Sequence, residues 1–185
     1  MAADAQGNDI SAVRIPLGGQ VYIADEGTTA PDIHTDVVTL ASGFDPLGLL
    51  KTDGGPEWAR TQDGDNTDFW QDGYTLPGVN VYYTLNVNAA EDNPVVNKLT
   101  LGVEPDVNGV YHVDGAIAPV TYLVYVAEKY KSGRTRRRLC RNVTVSEVAE
   151  DRSTKGEVQG YAITLKVSRH VGTSSHFDHY VHIPA

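Results

Sequence analysis

Residues 119–145 read PVTYLVYVAEKYKSGRTRRRLCRNVTV, and this stretch decides the fold class. Val120, Tyr122, Val124 and Val126 alternate with Thr121, Leu123, Tyr125 and Ala127. β-branched and aromatic side chains suit a pleated surface, and a repeat of two sends successive side chains to opposite faces. Lys131-Ser132-Gly133-Arg134 supplies a short turn. From Thr135 the alternation resumes. Leu139, Arg141, Val143 and Val145 share one predicted face, with Arg136, Arg138, Cys140 and Asn142 on the other. Two such runs joined by a Ser-Gly turn predict a long β-hairpin. A third run, Tyr161–Val167, sets Tyr161, Ile163, Leu165 and Val167 against smaller or polar residues. These three strands predict a mainly β protein, with the rest of the chain packed on them or extended from them.

Upstream, Gln20–Ala24 and Val79–Val87 read as further strands, and Ser11–Leu17 as a short edge strand ended by Pro16. Asn108-Gly109 before Val110–Val113 predicts a hairpin turn and a strand. One short helix is expected. Asn93 is a good N-cap, Pro94 suits the first helical position, and Gly102 ends the run. Phe177–Ile183 reads as a short strand or as a terminal arm that pairs with another chain. Residues 45–78 are rich in Asp, Gly and Thr and carry Trp58, Phe69 and Trp70. So polar a segment reads as a long loop, and long loops are usually functional. Its aromatics need burial, which a neighbouring chain can supply.

A chain of 185 residues fits one domain. No run approaches the roughly 18 apolar residues of a membrane helix. The opening MAADAQGNDI has neither a basic start nor an apolar segment, so no secretory leader is expected. The single cysteine, Cys140, excludes an internal disulfide and fits synthesis in a reducing cytoplasm. The net charge of −9 is unevenly spread. Residues 1–115 hold 18 acids and 4 bases, and residues 116–185 hold 6 acids and 11 bases. An acidic part and a basic part in one chain allow copies to meet acid to base.

Catalytic and metal signatures are poor. His176, His179 and His182 do not share one face of a strand, which a zinc site needs. Asp63-Gly-Asp65-Asn-Thr-Asp68 has a calcium-loop composition but lacks the glycine and twelfth-position glutamate of an EF-hand. No nucleophile elbow and no P-loop occur. No cofactor, metal or enzymatic activity is expected. Arg134, Arg136, Arg137, Arg138 and Arg141 are the best phosphate-binding candidates. They fall on both faces of a hairpin without interleaved stacking aromatics, so pairing with acids of the same or a neighbouring subunit is the preferred reading.

Two stretches carry a family resemblance. One is GFDPLGLLKTDGGPEWARTQDGDNTDFWQDG, residues 43–73, and the other is the strand pattern ending in Glu157-Val-Gln-Gly-Tyr161 and Val167. In order and motif the chain resembles the major tail tube proteins of long-tailed, non-contractile bacteriophages, in particular those infecting actinobacteria. The likeness spans most of residues 20–168. It implies a small β-sandwich or barrel with one short flanking helix, between an N-terminal arm (1–19) and a C-terminal arm (169–185). It also implies six-membered rings whose strands join into a continuous inner barrel. Rings stack into a tube, with the 45–78 loop and the arms reaching into the next ring. The extra immunoglobulin-like domain of many relatives is not expected here.

Under this resemblance the subunit is made in the bacterial cytoplasm and ends in the virion. Its partners are itself and the tape measure, tail terminator and distal tail proteins. Phage DNA passes without specific binding, and no membrane is involved. The expected contact residues are Trp58, Phe69, Trp70, Asp63, Asp65 and Asp68 of the loop, with Arg134, Arg136, Arg137, Arg138 and Arg141 of the turn meeting the acidic loop of a neighbour. Serine at Arg136, Arg137 and Arg138 is then expected to weaken assembly and leave the monomer folded. The rival readings are a tail terminator of the same fold, which caps the tube once, and a carbohydrate-binding β-sandwich using Trp58 and Trp70.

Overall fold

The computed structural model describes residues 5–10, 13–64, 67–71, 73–76, 80–113 and 120–184. Its strands are β1 (Pro16–Asp25), β2 (Asp45–Pro46), β3 (Glu57–Asp63), β4 (Thr67–Asp68), β5 (Thr75–Leu76) and β6 (Asn80–Ala89). A helix, α1 (Pro94–Leu101), precedes β7 (Tyr122–Tyr130), β8 (Thr135–Glu150), β9 (Tyr161–Val167) and β10 (Phe177–His182). Eight strands form one antiparallel sheet in the order β2-β1-β7-β8-β9-β6-β3, with β10 paired to β8. The short β4 and β5 form a separate hairpin.

The predicted hairpin is β7–β8. Its turn closes through Tyr130 N–H to Arg134 O and Gly133 N–H to Tyr130 O, with Gly133 at φ 80°. Strand β9 covers Tyr161–Val167 as its alternation requires. The helix also follows its sequence signals. Asn93 Oδ1 accepts from Val96 N–H at 2.9 Å, Pro94 opens the helix, and Gly102 closes it in the left-handed region at φ 68°. Those contacts satisfy terminal groups that the helix cannot pair itself.

The sheet folds over one main core. Val21 and Ile23 of β1, Val124 and Val126 of β7, and Cys140 and Val143 of β8 meet Leu85 and Val87 of β6 and Ile163, Leu165 and Val167 of β9. Val96 and Leu99 of α1 close the same cluster. The result is a small sandwich whose two layers share β8. The first half of β8 lies between β7 and β10, and its second half pairs with β9. Leucines such as Leu85 and Leu165 are fully buried, and each contributes about 1.5–3 kcal/mol of transfer free energy.

Strand β8 does not keep its predicted faces. The register shifts against β7 between Tyr122 and Val124, and against β9 between Val145 and Glu147. Each bulge inserts one residue and flips the alternation. As a result Cys140, Val143, Val145 and Val148 all face the main core, while Leu139 faces a second cluster on the opposite side. In that cluster Ile33 and Phe44 of the 26–44 segment pack on Ala24, Leu123, Tyr125 and Leu139. Strand β7 is therefore buried on both faces.

Three other expectations change. β1 begins at Pro16, inside the span expected as the N-terminal arm and at the end of the expected Ser11–Leu17 edge strand. Residues 45–78 are not one loop, because β3 pairs with β6 along its whole length. Residues 110–113 form no strand, although Gly109 N–H and Val110 N–H close a turn on Asp106. Phe177–His182 forms the expected short strand, β10, and pairs with β8 of its own chain.

Candidate assembly surface

The arginines of the turn are used within the chain. Arg136 forms a two-bond pair with Glu128, Nε to Oε2 at 2.7 Å and Nη2 to Oε1 at 2.6 Å. Glu128 is buried, and its hydrogen bond raises the Arg136 pKa further above the ordinary arginine value. Arg137 is 6% exposed and donates to the carbonyls of Ile33 (3.1 Å), Thr35 and Asp36 (2.9 Å). It pins the 26–44 segment over the second cluster. Arg138 stacks on Trp58 and Phe177, and its Nε donates to His179 Nδ1 at 3.3 Å. Desolvation by burial, then repulsion from Arg136, lowers its pKa. Arg141 Nη1 donates to Asp178 Oδ2 at 2.5 Å and so ties β10 to β8. Arg134 closes the turn through its carbonyl.

The carboxylates in these pairs are Glu128 and Asp178, not those of the 45–72 stretch. Replacing Arg136, Arg137 and Arg138 with serine therefore attacks the fold itself, contrary to the expectation of a monomer left intact. Trp58 is likewise internal. It packs on the main core and stacks against Phe177 at 5.4 Å between centroids.

The exposed members of the expected set lie on the β4–β5 hairpin. Trp70 is 98% exposed, with Phe69 and Tyr74 beside it in sequence or across the hairpin and also exposed. Phe69 N–H donates to Tyr74 O at 3.1 Å, which holds the tip together, and Asp68 pairs with Thr75 in the ladder. Asp65 lies outside the described residues, and Asp63 is placed by its backbone alone as the last residue of β3. A fully exposed tryptophan on a small hairpin carries a large apolar area with no cover.

A second surface escaped the sequence reading. Pro16–Gln20 of β1 pair with β7 on one side, while β2 covers the other side of β1 only at Tyr22 and Ile23. Beside that edge runs a groove of about 870 Å³ lined by Leu17, Gly19, Leu49 and Pro56 among others. Leu17 is 65% exposed and Leu49 70%. Only the irregular spacing of Leu17 and Leu49 around glycines marks the groove in the sequence, and that is no periodic signal.

The histidines disperse. His176 Nε2 lies 2.8 Å from Val81 O, His179 accepts from Arg138, and His182 lies 3.8 Å from Asp36. Cys140 is fully buried, and desolvation pushes its thiol far above the ordinary value. Among the described residues no three metal-ligating side chains converge. Among the described residues no helix is long and apolar enough to cross a membrane.

Among the described residues the geometry is thus an antiparallel sandwich with a closed interior, an exposed aromatic hairpin tip and open strand edges. A family model described as phage tail tube protein matches residues 6–134. The chain belongs to the phage tail tube protein family, a family of virion structural proteins. Among solved structures it is similar to a chain of the anti-feeding prophage baseplate, determined by cryo-EM with 6-fold symmetrisation. The identity is 8%, the match covers 85% of this chain and 91% of that one, and the TM-score is 0.46. No curated protein matches.

Proposed function

We propose that this chain is the major subunit of a phage tail tube. Six copies close a ring, rings stack into a hollow tube, and duplex DNA passes through it from capsid to host. The subunit works by assembly, with the tape measure, terminator and distal tail proteins as its partners at the ends and inside the tube. The observation that carries the reading, beside family membership, is the set of open strand edges on a folded sandwich. Exposed edges are a hazard in a free monomer, and ring closure pairs them. The β4–β5 tip, with Phe69, Trp70 and Asp68, docks in the next ring.

Electron microscopy of the purified chain at rising concentration tests this. Hollow tubes of stacked six-membered rings are expected. Single rings that never stack favour the terminator role. A monomer at every concentration, including in the presence of the tape measure protein, overturns the proposal.

A further inference from the structure

One layer of the sandwich has an outer face that no hydrophobic cluster covers among the described residues, and we infer that this face lines the bore of the tube. The inference rests on the tube reading and adds which side chains meet the passing duplex.

The layer consists of β3, β6, β9 and the second half of β8. Trp58, Leu85, Leu165 and Val145 point into the main core. Their neighbours point the other way, because side chains alternate along a strand. The register sets them in rows. Ala59, Thr84, Lys166 and Thr144 form one row, and Glu57, Asn86, Thr164 and Glu147 form the next. None of these residues belongs to either hydrophobic cluster. The other layer differs. Its outer face is closed by the 26–44 segment that Arg137 holds down.

Both lateral edges of the bare layer are open among the described residues. β3 pairs only with β6, and Thr144–Glu150 pair only with β9. β3 of one copy can therefore extend the sheet at β8 of the next, head to tail, and carry one uninterrupted face around the ring. The chemistry of that face suits the inside. Phosphate is held by free Lys and Arg side chains. The two rows present methyl, hydroxyl and carboxylate groups, and the amide of Asn86 lies among them with its Oδ1 buried. Their one cation, Lys166, has its Nζ 4.5 Å from the centroid of the Tyr82 ring. Short uncharged side chains offer a polyanion little to dock on, and the carboxylates repel it.

The test is cysteine accessibility. Cys140 is fully buried with its thiol held protonated, so the wild-type chain is a silent background. Ala59→Cys and Ala149→Cys place exposed thiols on the bare face, and Val37→Cys places one on the 26–44 segment. The probe is a maleimide carried on a polymer larger than the subunit. All three free variants should react. In preassembled tubes Val37→Cys should still react, and the other two should lose at least about tenfold in labelling rate while reacting with N-ethylmaleimide. Tubes in which Ala59→Cys and Ala149→Cys take the bulky probe as fast as Val37→Cys overturn the face assignment and leave the tube reading intact. A wild-type chain that makes no tubes, alone or with the tape measure protein, overturns both. As a second measure, tubes of the Thr84→Lys, Thr164→Lys double variant should retain short duplex DNA at low salt and wild-type tubes should not; equal retention counts against the assignment.

Discussion

The guanidinium of Arg138, on β8, lies over the indole of Trp58, on β3, with its Cζ 4.3 Å from the ring centroid. The contact bridges the two layers of the sandwich and is completed by Phe177 of β10. It joins two residues that the sequence suggested would seek partners in another subunit.

Truncating Trp58 should therefore be a stability event. Trp58→Ala is expected to cost about 3 kcal/mol, in line with loss of a large ring from a core. Trp58→Phe should cost under about 1.5 kcal/mol, because the indole Nε1 has no partner among the described residues to lose. A double-mutant cycle with Arg138→Ala should return a coupling of about 1 kcal/mol. Urea denaturation of the monomer supplies all three values. A cycle with no coupling removes the stacking interaction from the account.

Arg137 should behave as a clamp. Arg137→Ala is expected to lose about 3 kcal/mol, since charge-assisted bonds to three carbonyls go with it. Arg137→Lys should recover only part of that, because an ammonium cannot reproduce the planar fork. Limited proteolysis gives the local readout: new cleavage within residues 26–44 in the alanine variant. Protection equal to wild type refutes the clamp.

Trp70 should show the opposite pattern. With 98% exposure it supports nothing in the monomer, so Trp70→Ala should shift stability by no more than about 0.5 kcal/mol. The concentration needed for tube growth should rise at least about tenfold, as for loss of an interface anchor. Sedimentation of tubes and a thermal melt of monomer separate the two effects. Normal growth would remove the hairpin tip from the docking surface.

Stability should also fall on mild acidification. His179 accepts a hydrogen bond from Arg138, and burial lowers its pKa from the ordinary 6.5. Arg138 and Arg136 of β8 and Arg14 of the N-terminal segment face it as like charges, against the single opposing carboxylate of Glu128 on β7. The unfolded chain thus binds the proton more readily. Its contribution is present above about pH 6.5 and is lost as pH drops through the lowered folded value. Asp32, Asp106 and Asp151 are themselves shifted below 3.8, so they act only in stronger acid. Urea midpoints at pH 7.5 and 5.5 should differ in wild type and converge in His179→Gln.

Much of this architecture was legible because its signals are local. The Asn93, Pro94 and Gly102 caps act within one turn of chain, and the alternation around Lys131–Gly133 is unbroken. Strand β3 was missed for a physical reason. Glu57-Trp-Ala-Arg-Thr-Gln-Asp63 has one large apolar residue, and an edge strand with a bare outer face needs no more. The faces of β8 were misread because bulges depend on how neighbouring strands fit, which no residue type announces. The partners of the arginines were likewise hidden. Glu128 meets Arg136, and Asp178 meets Arg141, only once the strand register is set. The exposed aromatic hairpin tip was the surface feature that composition alone could mark.

Strand β8 runs through both layers as one covalent backbone, bent at two bulges. In mechanical terms the layers have a hinge but no sliding plane. Load applied to either layer passes along the main chain of residues 135–150 without relying on side-chain friction between sheets. In the proposed tube, curvature would then be taken up at the loops and tips between rings, while each wall element keeps its section.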